Sequence, residues 1–87
     1  MRRERIENLE FTAHAETMLT ERAIAREWVD RAFAEAERTE TREYSTVHYL
    51  KAIPEHGGRY LRVVTNPGST PPRVITVFFD RRARRQP

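Results

Sequence analysis

The sequence predicts an α+β fold: two N-terminal helices packed on one face of a twisted antiparallel β-sheet of three to four strands. Two observations lead there. Apolar residues recur at helical spacing over residues 11–36, and from residue 44 the period changes to two, broken by turn-forming Pro and Gly residues.

Phe11, Ala15, Met18 and Leu19 recur at helical spacing, and Thr12 stands where an N-cap is needed, so the first helix is expected over about residues 12–22. Ile24 closes a tight turn. In AREWVDRAFAEAE, the residues Trp28, Val29, Ala32, Phe33 and Ala36 form one apolar stripe, while Arg26, Glu27, Asp30, Arg31, Glu35 and Glu37 face outward. That pattern describes a helix lying on a core. ERTETREYS is polar and aperiodic, and is expected to be a loop. The first strand is YSTVHYLKAI, with Val47, Tyr49 and Ile53 on one side and Thr46, His48, Leu50 and Ala52 on the other. Pro54 stops it, and Gly57 and Gly58 supply positive φ for a hairpin. The second strand, RYLRVVT, alternates Leu61, Val63 and Thr65 with Tyr60, Arg62 and Val64. After NPGSTPP, the third, RVITVFFD, alternates Ile75, Val77 and Phe79 with Val74, Thr76 and Phe78.

With 87 residues there is room for one domain, residues 1–87, with a modest core. Residues 1–10 are expected to form an arm or a short edge strand, and residues 81–87 a basic tail. The absence of cysteine removes disulfides, thiolate metal sites and cysteine nucleophiles. Nothing approaches the roughly 18 apolar residues of a membrane span, so a cytoplasmic protein without membrane contact is expected.

Charge is segregated along the chain. Residues 1–43 carry eight Arg against eleven carboxylates, a net −3; residues 44–87 carry eight basic residues against Glu55 and Asp80, a net +6. A basic half suits a polyanionic partner, because guanidinium groups displace counterions from phosphates. All but one of the sixteen basic residues are Arg, the exception being Lys51. Arginine offers a planar fork for phosphate. Genome composition accounts equally well for the preference for Arg, but not for the separation of sign.

If the helices cover the face of Tyr49, Leu61, Val63, Ile75, Val77 and Phe79, then His48, Arg62 and Thr76 fall together on the open face. Ordinary amphipathic patterning explains polar residues there. Leu50, Val64 and Phe78 sit among them, however, and a few convergent polar groups in an apolar surround is how a recognition surface is built.

The strings HAETMLTERAI, HYLKAI, GGRYLRVVTNP and PPRVITVFFDRR, in this order around a helix with Trp28 and Val29, resemble the prokaryotic family catalogued as domain of unknown function 4258, over about residues 11–82. That family is similar in fold to the RelE/ParE toxins and barnase-like ribonucleases, so the resemblance implies a RelE-like sheet with its active surface on the concave side. It also implies toxin-type endoribonuclease activity restrained by an acidic antitoxin. It carries over to His14, Arg22, Arg62 and Thr76. The sequence departs from the family where many members have arginine at the position of Met18, glycine at that of Ala23, and a Ser or Thr cap at that of Ala25.

Cleavage of RNA through its 2′-hydroxyl needs a proton acceptor, a proton donor and a fixed cation for the phosphorane. His14 is the first candidate for base or acid and His48 the second; Arg62 is the candidate phosphate clamp and Thr76 a hydrogen-bond donor. A histidine near a helix start also commonly caps or packs. Arg22, Arg59, Tyr60, Arg81, Arg82, Arg84 and Arg85 are the candidate RNA contacts, although Arg22 could equally pair with Glu21, Asp30 or a helix carbonyl. Tyr49 is expected in the core and His56 in solvent. The histidines lack metal-ligand spacing and there is no phosphate loop or nucleophile elbow, so neither metal nor cofactor is expected. The expected partners are RNA, including mRNA on the ribosome, and the antitoxin. The competing expectation is a non-catalytic module that binds nucleic acid or protein through the same face.

Overall fold

A computed structural model of the chain describes residues 9–68 and 72–83. Thr12 starts the first helix: its Oγ1 accepts from the Ala15 amide at 3.1 Å, and α1 runs Ala13–Glu21. The same hydroxyl donates to the Ile75 carbonyl at 3.1 Å and the Thr12 amide donates to the Val74 carbonyl at 3.0 Å, so the cap also fastens the helix to the sheet. The second helix, α2 (Arg26–Ala34), begins at Ala25, which offers no side-chain cap. Met18 and Leu19 of α1 and Val29 and Ala32 of α2 are buried in one core with Ile53, Leu61, Val63, Val74 and Val77, with Trp28, Phe33, Tyr49 and Phe79 packed against it. Arg31 of α2 forks onto Glu55 at 2.9 and 2.8 Å, which ties that helix to the hairpin turn and holds the Glu55 carboxyl down at about 2.

The sheet is mixed and five-stranded, in the order β1-β5-β4-β3-β2: β1 (Glu10–Phe11), β2 (Arg38–Thr41), β3 (Val47–Ile53), β4 (Arg59–Asn66) and β5 (Arg73–Phe79). β1 runs parallel to β5, and the other pairs are antiparallel. The expected wholly antiparallel sheet is corrected by the parallel β1–β5 pair, and the expected strand number and loop are corrected as well. The count exceeds three to four, and the expected loop ERTETREYS contains β2, an edge strand that pairs Thr39 with Tyr49 and Thr41 with Val47. An edge strand with no apolar side chain has no hydrophobic period to read, and charge is the usual protection of such an edge. Tyr44 and Ser45, expected in the first strand, instead form the turn before β3, which starts at Val47.

Strand parity also departs from the expected alternation in β5. Thr76 pairs with Val64 and Val74 with Thr65, leaving Ile75 as the extra residue of a β-bulge. Val74 therefore turns to the helix side, where it is fully buried, while Ile75 leaves the core cluster and is half-buried. C-terminal to the bulge the alternation is as expected. Gly57 and Gly58 have φ of 71° and 78°, and the Gly58 amide closes the β3–β4 turn onto the Ile53 carbonyl at 2.9 Å. His56 in that turn is not left in solvent: its ring stacks on Phe79 at 4.0 Å, with Trp28 edge-on to the same phenyl at 6.1 Å. Among the described residues no helix is long and apolar enough to cross a membrane.

Candidate functional site

Residues of both helices share one buried cluster with Ile53, Leu61, Val63, Val74 and Val77, and the cross-strand register defines the sheet face opposite those strand residues. One row across it reads Glu40, His48, Val64, Thr76, and the next Arg38, Leu50, Arg62, Phe78. His48, Arg62 and Thr76 therefore share the open face, as alternation predicts.

Arg62 is the centre of this face, and it is only 8 % exposed. Its Nε donates to Asp80 Oδ2 at 2.7 Å, and its Nη1 reaches Glu40 Oε1 at 3.1 Å and His48 Nδ1 at 2.9 Å. A guanidinium only donates, so Nδ1 must be the acceptor; His48 is neutral with its proton on Nε2, which lies 3.5 Å from Thr46 Oγ1. Burial, and then the charges of Arg62 and Arg42, lower the pKa of His48. Hydrogen bonds from Arg42 and Arg62 hold the Glu40 carboxyl at about 2. For Asp80, burial pulls upward, but the Arg82 and Ala83 amides and Arg62 outweigh it and the pKa is lowered. The expected phosphate clamp is thus already bound to two carboxylates.

This network forms one wall of an open cleft of about 620 Å³, lined by Arg38, Arg42, Arg62, Arg81 and Arg82 together with His48, Phe78 and Asp80. Even with Glu40 counted in, five guanidinium groups face two carboxylates, so the cleft attracts anions. Arg38 Nε is buried without a hydrogen-bond partner, 3.3 Å from Glu40 Oε2.

His14 and Thr76 form a separate pair, Nε2 to Oγ1 at 3.2 Å, on the β5 side of the sheet beyond the short pairing with β1. Val64 stands between Thr76 and His48 in the row, and two strand spacings separate them by about 10 Å. The four expected catalytic residues are thus brought together two by two, and neither His14 nor Thr76 lines the cleft.

Of the expected RNA contacts, Arg81 and Arg82 line the cleft. Tyr60 is buried away from the cleft lining, and its hydroxyl donates to Glu37 Oε1 at 2.8 Å, which is the foremost cause of the lowered Glu37 pKa. It ties β4 to the residue that leads into β2, whose amide donates to the Leu50 carbonyl at 2.8 Å. Arg59 is exposed but, by alternation with Tyr60 and Arg62, lies on the side away from the cleft; Arg22 is exposed at the C-cap of α1. Arg84 and Arg85 lie outside the described residues. Tyr49 packs in the core against Phe33, with ring centroids 4.7 Å apart.

Four residues of the site were absent from the sequence-derived set: Arg38, Glu40, Arg42 and Asp80. Two signals pointed to them. Arg38, Glu40 and Arg42 alternate, so one strand would put them on one side, and Asp80 is one of two acids in a basic half.

A family model described as domain of unknown function (DUF4258) matches residues 11–79. The chain belongs to this family. No curated protein and no solved structure gives a significant match. The DUF4258 segment takes in both helices, β2 to β5, and the Glu40–His48–Arg62 cluster, and it ends one residue before Asp80 and the arginines of the far cleft wall.

Proposed function

We propose that the protein is a toxin-type endoribonuclease that cuts RNA through its 2′-hydroxyl without a metal, and that an acidic antitoxin restrains it in the cytoplasm by covering the same cleft. The observation that carries this reading is a single imidazole, His48, seated against Arg62 in a cleft edged by four further arginines. The element order, helices before a sheet with one open face, supports the RelE-like comparison.

In this reading a phosphate competes with Glu40 and Asp80 for Arg62 and draws its Nη1 away from His48. Nδ1 then has a free lone pair. It takes the proton of the 2′-hydroxyl, the 2′-oxygen attacks phosphorus, and the bond from phosphorus to the 5′-oxygen breaks. The leaving oxygen takes the Nε2 proton, so the imidazole ends neutral and the products are a 2′,3′-cyclic phosphate and a 5′-hydroxyl. The arginines stabilise the charge that builds on the non-bridging oxygens. His14 and Thr76, one pair along the face, bind the neighbouring nucleotide rather than performing the chemistry.

A second reading, a non-catalytic binding module, is favoured by one specific feature: Arg62 and His48 Nδ1 are engaged with protein groups, so the His48 base of the cleft is not free. Incubating the native protein and its His48→Gln, Arg42→Ala and Arg81→Ala variants with defined single-stranded RNA separates the two. The enzyme reading expects cyclic-phosphate ends from the native protein and none from His48→Gln. For each arginine removed, the slope of log affinity against log salt should drop by roughly 0.7. Binding without cutting would select the module, and absence of binding would overturn both.

A further inference from the structure

We infer that Tyr44, at the tip of the β2–β3 hairpin, is a stacking platform for an unpaired nucleobase of the strand whose phosphate occupies the arginine cleft. The inference rests on the reading of that cleft as an RNA site and adds a substrate class: single-stranded or looped RNA.

Two costs converge on this residue. Tyr44 is 96 % exposed, the large apolar side chain given over to solvent among the described residues. Its backbone also sits in the left-handed region, at φ 61° and ψ 26°, and Ser45 follows at φ 61°. With the Thr46 amide donating to the Glu43 carbonyl at 3.2 Å, these two residues make a hairpin turn of the I′ kind. Asn-Gly adopts that turn with little strain, whereas a bulky side chain there is disfavoured. The fold gains nothing from the ring, which packs on nothing. A residue that conflicts with both its backbone and its solvent is most simply explained by what it contacts in a complex.

The neighbourhood says which contact. Arg42, two residues earlier, lines the cleft. Two residues of chain reach at most about 7 Å, comparable with one nucleotide step. Guanidinium groups tracking phosphates beside an aromatic ring that takes any base by its π-face is the arrangement that recognises single strands. Paired bases are already stacked and would leave the ring unused.

The test measures binding of one labelled RNA as a single strand and as a duplex, with thermal unfolding of each variant. Tyr44→Asn should unfold at a higher temperature than the native protein, because asparagine enters the left-handed region more easily. It should also bind the single strand roughly tenfold more weakly, with an unchanged salt slope. Duplex affinity should not move, and Tyr44→Phe should restore single-strand binding. Equal affinity of the native and Tyr44→Asn proteins for the single strand would overturn the inference while leaving the cleft reading intact. So would loss of an acidic protein partner with RNA affinity retained, which would make Tyr44 a protein contact. If the native protein binds no RNA, the cleft reading itself fails.

Discussion

Arg62 can occupy the middle of a central strand only because acceptors from three other places converge on it. Glu40 comes from β2, His48 from β3 and Asp80 from just beyond β5. Removing one partner of such a buried set leaves the others uncompensated. Arg62→Ala should therefore destabilise the protein by about 3 kcal/mol, read by urea unfolding, and combining it with Glu40→Gln and Asp80→Asn should recover much of that loss. A domain of this size has a total stability of about 5 kcal/mol, so the single variant should keep only about 2 kcal/mol and unfold at a much lower urea concentration. Arg62→Lys should not rescue it, since an ammonium cannot reproduce the fork. Alternation along β4 was enough to place Arg62 on the open face. Its neutralisation was not legible, because both carboxylates are distant in the chain and one lies in a segment whose only alternation is of charge, with no apolar side chain to mark a strand.

The end of α1 shows how an element can carry a correctable flaw. The Ala23 amide donates to the Thr20 carbonyl at 3.3 Å, the Ile24 amide to the Leu19 carbonyl at 2.9 Å, and Ala23 has φ 53°. This is a Schellman ending, with Ile24 and Leu19 both buried as its usual hydrophobic contact. The left-handed position at the end of a helix is normally glycine, which has no Cβ to clash there. Ala23→Gly should stabilise by roughly 0.5–1 kcal/mol despite the extra freedom of the unfolded chain. At the other end of the helix, Thr12→Ala loses the cap and the bond to the Ile75 carbonyl and should cost about 1–2 kcal/mol. Chemical denaturation of the two variants beside the native protein checks both signs. Thr12 was legible as a cap because capping is decided within four residues; β2 was not, because its partner is β3 and its own residues are all polar.

Across the molecule, the opposite charges of the two halves of the sequence do not end up on opposite sides. Arg38, Glu40 and Arg42 of the acidic half meet Arg62, Asp80, Arg81 and Arg82 of the basic half around one cleft. This shared network makes the whole domain acid-sensitive in two steps. His48 is held neutral, with its folded pKa below 6.5, so as pH falls through 6.5 the unfolded chain takes up the proton first and stability begins to drop. Glu40 is depressed from 4.5 to about 2, so its contribution is complete above 4.5 and is lost as pH falls from there toward 2. Urea midpoints measured from pH 8 to pH 3 should fall monotonically, and His48→Gln should flatten the upper step while leaving the lower one.

Helical period, strand alternation, caps and turn residues are local properties of the chain. The succession of two helices and an antiparallel meander, the Thr12 cap, the Gly57-Gly58 turn, and the placing of His48, Arg62 and Thr76 on the open face could accordingly be read without coordinates. Register and pairing belong to residues far apart in the chain. Folding alone settled that β2 adds to the edge, that a bulge at Ile75 sends Val74 inward, that His14 meets Thr76 instead of His48, and that Glu40 and Asp80 close upon Arg62. Each of these depends on which strand lies beside which, and that choice is made by burial of the shared core rather than by any residue's own neighbours in the sequence.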